Sequence, residues 1–283
     1  MKILLCGATG LLGANLKKYL NLKSMEVIGV GLSQQSDYQC DVSNFNEIDN
    51  IIKYVKPDIV INAISLTNVD ECQKDLNLAF KLNVLTAVNI TNSIKKNKLD
   101  SHLIYISTDH LYNMPGNSYE NEVFLTNIYA LTKRSAEIAI EKTNATILRV
   151  NFFGPGTTKK NISFSDWILN ALKNKTTLNI FSDVYFSPLT INKLCELIFL
   201  VIQKRKFGIF NLGSFSGLSK YEFAVVLANE FKYDIELIMP VSLITANLYA
   251  SRPLDMRMNS ALFESEFNVK LPTLRDEILS LRK

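Results

Sequence analysis

Ile3-Leu4-Leu5-Cys6-Gly7-Ala8-Thr9-Gly10-Leu11-Leu12-Gly13 opens the chain and decides how the rest is read. Ile3 to Cys6 is a short apolar run of the kind a buried strand needs. Glycines 7, 10 and 13 follow with G-x-x-G-x-x-G spacing, and Leu12, Leu16, Tyr19 and Leu20 then share one helical face. Strand, glycine turn and helix in that order make the first unit of an alternating α/β chain. Gly7 suits the tight turn, Gly10 the close approach of a pyrophosphate, and Gly13 close helix–sheet packing. The helix N-terminus adds unpaired N–H groups and the positive end of its dipole. With Thr9, Leu11 and Leu12 between the glycines, the whole stretch from residue 7 is a candidate dinucleotide cradle. No G-K-[ST] follows the turn, which argues against a P-loop kinase or GTPase.

Outward from this stretch the alternation continues. Strands are expected at 27–30, 59–62, 103–107 and 145–150, and helices over 45–55, 76–95 and 127–142. With right-handed crossovers this is a doubly wound parallel sheet with helices on both faces. Beyond residue 151 the rhythm loosens. Residues 152–158 form a Gly/Pro-bearing loop, helices are expected over 165–172, 194–201 and 220–231, and 207–212 reads as a strand returning to the main sheet. The segment 237–283 is mixed and ends in a short helix. The expected organisation is a cofactor platform over 1–151, rejoined by 207–231. A smaller, partly discontinuous C-terminal substrate lobe from 152–206 and 232–283 faces the carboxyl ends of the strands, with ligands entering between the lobes.

Composition narrows the function classes. The 283 residues are 47% hydrophobic and 20% charged, with 7 Pro and 11 Gly, which excludes collagen-like and largely disordered chains. Lys and Arg number 31 against 27 Asp and Glu, a net charge of +4, and the densest basic run, Lys204-Arg205-Lys206, stands alone. No nucleic-acid partner is expected from so mild a charge. Two histidines, His102 and His110, leave little for a metal site, and none is predicted. Cys6, Cys40, Cys72 and Cys195 have no C-x-x-C spacing and read as reduced intracellular thiols. Met1-Lys2 runs directly into the first strand without a signal-peptide core, and the apolar run 194–202 contains Glu196 and is too short to span a bilayer. The expectation is a cytoplasmic protein with no membrane partner, in which the N-x-[ST] matches at Asn161 and Asn174 occur by chance.

The second strand ends Val30-Gly31-Leu32-Ser33, without the Asp or Glu that would bind a ribose 2′-hydroxyl. A 2′-phosphate is therefore not repelled, and Ser33 and Gln34 can hydrogen-bond it. This favours NADPH over NADH by a modest margin and leaves room for use of both. Asp41-Val42 is a candidate adenine contact, although Asp41 also fits a solvated loop. Asn62-Ala63, at a strand end, is a candidate for close approach to the cofactor, with Ala63 giving clearance.

The chemistry is expected from Ser107-Thr108-Asp109, after a strand, and from Tyr129 and Lys133, four residues apart on one helical face. A phenol is a poor acid or base near neutrality, and a neighbouring ammonium favours the phenolate and lowers its pKa. Tyr129 can then exchange a proton with a carbonyl or alcohol oxygen. Lys133 binds nicotinamide-ribose hydroxyls, and Thr108 orients the same substrate oxygen. A Tyr-x-x-x-Lys pair alone is one amphipathic helix; with the glycine turn and Ser-Thr-Asp it is a reductase-type constellation.

In these motifs the chain resembles the extended short-chain dehydrogenase/reductases, and more narrowly the dTDP-4-dehydrorhamnose reductase family of nucleotide-sugar reductases. The resemblance also rests on Val60-Ile61-Asn62-Ala63, Thr67-Asn68-Val69-Asp70, Asn83, Leu148-Arg149, Ser187-Pro188 and Arg252-Pro253-Leu254-Asp255. It implies a Rossmann-type fold, a catalytic set of Thr108, Tyr129 and Lys133, and NAD(P)H-dependent reduction of the C4 ketone of a nucleoside-diphosphate 4-keto-6-deoxysugar. Deoxysugar or surface-polysaccharide biosynthesis is the implied setting. Asp109, Asp166, Trp167, Asp183 and Arg252 become candidate substrate contacts: Trp167 for stacking, Arg252 for a pyrophosphate. Each also has a plain structural role open to it. His110-Leu111 stands where the relatives usually carry Tyr-Val, Phe152-Phe153-Gly154-Pro155-Gly156 is closer to the broader epimerase/reductase class, and Ala14-Asn15 lacks the acid of a metal-bridged dimer. A homodimer stays open. The alternative readings are an NAD-dependent nucleotide-sugar 4-epimerase and, further off, a non-catalytic nucleotide-binding regulatory subunit.

Overall fold

The computed structural model describes residues 1–156 and 162–282; Asn161 and the end of the 152–158 loop lie outside the described residues. The main sheet has seven strands: β1 (Lys2–Cys6), β2 (Glu26–Gly31), β3 (Tyr38–Gln39), β4 (Ile59–Asn62), β5 (His102–Thr108), β6 (Ala145–Val150) and β11 (Gly208–Leu212). They lie in the order β11-β6-β5-β4-β1-β2-β3. The sheet is parallel, with β1 in register against β2 (Leu4↔Ile28) and β4 (Leu4↔Val60), and β4 against β5 (Val60↔Leu103). All of β4, β5 and β6 is buried, which is why these strands read as unbroken runs in the sequence. The chain works outward from β1 in both directions, so the strand order reverses between β1 and β4, where doubly wound sheets place their ligands.

The helices follow from local signals. α1 (Leu11–Leu22) buries Leu12, Gly13, Leu16 and Leu20. In α2 (Phe45–Val55), Asn44 caps the start, Ile48, Ile52 and Val55 face the core, and Lys56 ends the helix at φ 49°. Burying each such aliphatic side chain contributes about 1.5–3 kcal/mol. α3 (Val69–Lys74) starts at Asn68, whose side chain accepts from the Glu71 N–H. The helix expected over 76–95 is three pieces: α4 (Leu76–Phe80), a π-helical turn (Lys81–Leu85) and α5 (Thr86–Lys96). The widening follows from Asn83, whose carbonyl accepts the Tyr105 hydroxyl at 3.1 Å. Its amide spans to Leu66 and to Thr132 of α6 (Ile128–Ile140).

The chain divides into two compact units. Unit 1 is Met1–Thr108, Asn127–Leu148 and Cys195–Phe210, and its core joins Leu4, Cys6, Val30, Ile48, Val60 and Tyr105 to Ala136 and Ile140 of α6. Unit 2, slightly smaller and likewise discontinuous, is Asp109–Thr126, Arg149–Leu194 and Asn211–Lys283. It contains α7 (Phe164–Lys173), α9 (Lys220–Glu230), α10 (Ala261–Phe267) and α11 (Leu274–Ser280). α8 (Ile191–Lys204) begins in unit 2 and ends in unit 1. Three short pairings hold unit 2: β7 (Phe152–Phe153) with β10 (Leu189–Thr190), β8 (Leu178–Phe181) with β13 (Ile238–Val241), and β9 (Tyr185–Phe186) with β12 (Leu218–Ser219). Its core gathers Phe153, Phe186 and Phe223, with ring centroids 4.9 to 5.3 Å apart. Buried Glu277 of α11 accepts from the N–H and hydroxyl of Thr190. Among the described residues no helix is long and apolar enough to cross a membrane.

Candidate active site

The turn after β1 is shaped by backbone contacts. Gly7 sits at φ +84°, and a Cβ there would meet the Ala63 carbonyl carbon at 3.1 Å. A Cβ on Gly13 would stand 2.0 Å from the Gly7 oxygen, and one on Gly10 3.3 Å from it. Gly10 caps α1 with no side-chain hydrogen bond, and no acid lies in the first turn; Thr9 and Leu11 are half-buried and Leu12 is buried. Intrahelical bonding starts with the Ala14 N–H on the Gly10 carbonyl, so the N–H groups of Leu11, Leu12 and Gly13 precede the ladder. α2, α7, α9 and α11, by contrast, carry side-chain caps and acids in their first turns.

The other nucleotide-end candidates are partly engaged within the protein. Ser33 Oγ accepts from the Gln35 N–H at 3.2 Å. Asp41 accepts from the Ser43 N–H and hydroxyl and pairs with Lys81 at 2.9 Å. Burial raises its carboxyl pKa, but the bonds from Ser43 and Lys81 outweigh that and leave it below the usual value. Val42 is buried in the unit 1 core. Asn62, fully buried, accepts from the Ile64 N–H and donates to Thr86, while the Ala63 N–H bonds to the Cys6 carbonyl. Asp37, in the loop after β2, accepts from the Gly29 N–H and from Lys17.

Along the same carboxyl edge of the parallel sheet, two strands from β1, Thr108 closes β5, and Tyr129 and Lys133 occupy the buried face of α6. All three are nearly inaccessible, Lys133 at 1% exposure. The Lys133 Nζ donates to the Ile106 carbonyl at 2.7 Å and lies 4.2 Å above the Tyr105 ring. Burial pulls its pKa down to about 7, against an opposing pull from Glu137. An amine that close to neutrality can trade charge with a neighbouring phenol. The π turn stands behind this face. Asn83 accepts from the Leu66 N–H at 2.7 Å and donates to Thr132 at 3.0 Å, between Tyr129 and Lys133 in the chain.

Unit 2 holds the remaining candidates. Asp109 is fully buried, opens a 3-10 turn and accepts from Asn151 Nδ2 at 2.6 Å. The charges of Asp109 and Arg252 act on Lys220, which burial holds below its usual pKa. Burial, then Lys220 and Arg252, push His110 down to about 3. Asp166 closes the capping box of α7 with Ser163 and also accepts from the Gly156 N–H. Asp183 accepts from the Ser242 hydroxyl and the Leu243 N–H, bracing a loop. Trp167, at 44% exposure, stacks on Phe164 with centroids 5.9 Å apart and is not a core residue. Arg252 donates to the Ala250 carbonyl at 2.7 Å. Sequence reasoning missed Lys220, which lies over the Phe164 ring at 5.6 Å, and Glu137, buried one turn beyond Lys133. Glu137 had a readable signal in its four-residue step from Lys133; Lys220 had none. The four cysteines are free and buried, and among the described residues no cluster of His, Cys, Asp and Glu is placed to hold a metal.

Comparison with known proteins agrees along almost the whole chain. The spore coat polysaccharide biosynthesis protein SpsK of Bacillus subtilis (strain 168) is 27% identical over 235 residues, covering 81% of this chain and 79% of its own. The dTDP-4-dehydrorhamnose reductase of Salmonella typhimurium is 25% identical over 291 residues, covering 96% and 94%. The structure of dTDP-4-dehydrorhamnose reductase from Bacillus anthracis in complex with NADP matches with a TM-score of 0.89 at 20% identity, over 99% of this chain and 98% of that one, a likeness of fold. The family model described as the RmlD substrate binding domain matches residues 1–282, and the chain belongs to that family, within the extended short-chain dehydrogenase/reductases.

Proposed function

We propose that this protein reduces the C4 ketone of a nucleoside-diphosphate 4-keto-6-deoxysugar, in the cytoplasm, for deoxysugar or surface-polysaccharide biosynthesis. Family membership makes it an NAD(P)H-dependent oxidoreductase; the substrate and the residue roles are what is proposed. The observation that carries the reading is the buried face of α6, where Lys133 sits at the end of β5 with Tyr129 one turn before it. The glycine turn fits a dinucleotide, because Gly7 and Gly13 leave out the Cβ atoms that would close it and the α1 N-terminus carries no side-chain cap and no acid.

When bound, the nicotinamide supplies the hydride for the ketone carbon. Tyr129 gives its phenolic proton to the C4 oxygen as the alcohol forms, and Thr108 steadies that oxygen with a hydrogen bond. Lys133 holds the ribose hydroxyls, and its positive charge lowers the cost of the tyrosinate left behind. Solvent returns the proton to Tyr129. Gly7, Thr9, Gly10, Leu11, Leu12 and Gly13 hold the cofactor phosphates, with Ser33, Asp41, Val42, Asn62 and Ala63 along the rest of its length. NADPH is the preferred reductant: the loop after β2 offers Ser33 and no acid before Asp37, which is engaged by Gly29 and Lys17. The NADP held by the Bacillus anthracis reductase supports that choice. Asp109, Asp166, Trp167, Asp183 and Arg252 are proposed substrate contacts, the three aspartates acting mainly by shaping loops.

The test is NADPH and NADH oxidation with purified 4-keto sugar nucleotides differing in base and sugar, with product stereochemistry read by NMR. Net oxidation with one C4 alcohol formed is expected. Interconversion of C4 epimers without net oxidation would overturn the reading in favour of an epimerase.

A further inference from the structure

Tyr129, Lys133 and Glu137 follow one another at four-residue steps on α6, and the third is the most deeply buried, with no accessible surface. Its carboxylate is held from two sides. Oε1 accepts from the Ser107 hydroxyl at 2.5 Å, and Oε2 accepts from Arg134 Nη1 at 3.0 Å. Lys133 meanwhile donates to the carbonyl of Ile106. Two successive residues of β5, immediately before Thr108, are thus gripped by two successive turns of α6. A carboxylate without exposure is expensive to bury unless its charge is used. The Arg134 side chain is partly exposed and divided between Glu137 and Glu141.

We infer that Glu137 is a positioning residue: its carboxylate, anchored to Ser107 next to the carbonyl that holds Lys133, keeps Lys133 an ammonium at the end of β5. The inference deepens the reductase reading and rests on it for the role of Lys133. The electrostatics agree in sign, since burial discharges Lys133 and Glu137 is the acid that opposes this. Around the pair, Tyr105 faces it from β5 and Tyr129 from α6, and burial, then Glu137 and Tyr129, push the Tyr105 phenol well above its usual pKa. Arg134 and Glu141 stand at the outer end of the face. α3 and the π turn, also packed on α6, carry Asp70, Glu71, Lys74 and Lys81; α4 carries no charge, and α5 carries Lys95 and Lys96 in its last turn.

Glu137→Gln keeps an acceptor for Ser107 and removes the charge. Two readouts follow across pH 5.5 to 9: kcat on the 4-keto sugar nucleotide, and NADPH affinity by fluorescence titration, which needs no sugar substrate. If the Lys133 pKa drops by about one unit, the protonated fraction at pH 7 falls roughly fivefold while at pH 5.5 it changes less than about 1.5-fold. The expected result is therefore a loss at neutral and alkaline pH that acid restores, in both readouts. A loss equal at all pH values, or an unmoved profile, overturns the inference. If Glu137→Gln does not fold, Arg134→Gln decides the matter: removing the guanidinium from the carboxylate should move the alkaline limb upward, and no shift or a downward one overturns it. An inactive parent on every sugar nucleotide would sink the proposed function, yet the pH dependence of NADPH binding would still report on Glu137.

Discussion

Replacing Gly13 by Ala tests whether the phosphate end of the site depends on backbone meeting backbone. The new Cβ would stand 2.0 Å from the Gly7 oxygen, 2.8 Å from the Gly7 carbonyl carbon and 2.9 Å from the Ala8 Cα. No side chain is there to rotate away. Reaching an ordinary contact of 3.4 Å requires α1 and the turn to separate by about 1.4 Å. The turn resists, because the Gly7 N–H is bonded to Val30, the Gly10 N–H returns to Gly7, and Ala63 stands behind Gly7. Overpacking costs about 1–3 kcal/mol where side chains can adjust, so ~3 kcal/mol is expected here. Binding suffers separately. An N–H group displaced by more than ~1 Å loses a hydrogen bond to a charged oxygen worth about 1.5–3 kcal/mol, which weakens NADPH roughly 10- to 150-fold. Fluorescence titration with NADPH and a thermal melt measure the two effects. Gly10→Ala grades the response, since its Cβ would meet the same oxygen at 3.3 Å. Gly13→Ala with an unchanged melt and NADPH affinity within twofold of the parent would refute the reasoning.

Tyr129→Phe should lower kcat by about 10²- to 10⁴-fold while NADPH affinity stays within about threefold, as steady-state kinetics and fluorescence titration will tell; undiminished turnover removes Tyr129 from its role. Asn83→Ala strands the part-buried Leu66 N–H and the buried Thr132 contact, and should cost ~2 kcal/mol in urea unfolding and reduce kcat as well. His102 should make the fold sensitive to acid. Burial, then Arg205, hold its pKa down at about 4, so the unfolded chain takes the proton near pH 6.5 and the folded chain does not. Stability present above pH 6.5 is lost as pH falls toward 4, by about 3 kcal/mol, and His102→Gln should flatten that part of the urea-midpoint profile. Equal slopes for parent and variant count against it.

The parts of the fold legible in the sequence are those whose signals are local. β4 and β6 lie where the apolar runs put them, because a strand buried on both faces needs only apolar residues in succession. α2 is legible from Phe45 to Val55 because Asn44 and the Ile48-Ile52-Val55 face sit within one segment. The π turn was not legible. What opens it is Tyr105 reaching the carbonyl of Asn83, 22 residues back, a contact that exists only once β5 and the 81–85 segment are packed. α3 did carry a signal, Asn68 three residues before Glu71, masked by the shortness of the helix. In unit 2 the same division separates two aspartates. Asp166 stands three residues after Ser163 and is readable as a capping box, whereas Asp183 finds Ser242 and Leu243 about 60 residues away.

The candidate site shows the same division, with a consequence for its chemistry. A four-residue step identifies residues that share a face, and it brings Tyr129 and Lys133 together without any knowledge of the fold. It cannot say how dry that face is. Dryness comes from β5, whose seven residues are all buried and whose Tyr105 ring lies under the Lys133 ammonium. An exposed Lys beside a Tyr would keep its usual charge, and water would weaken its influence on the phenol. Enclosure strengthens that influence and at the same time threatens the charge that exerts it. A buried acid is the physical answer to that conflict, and the next four-residue step along α6 supplies one in Glu137.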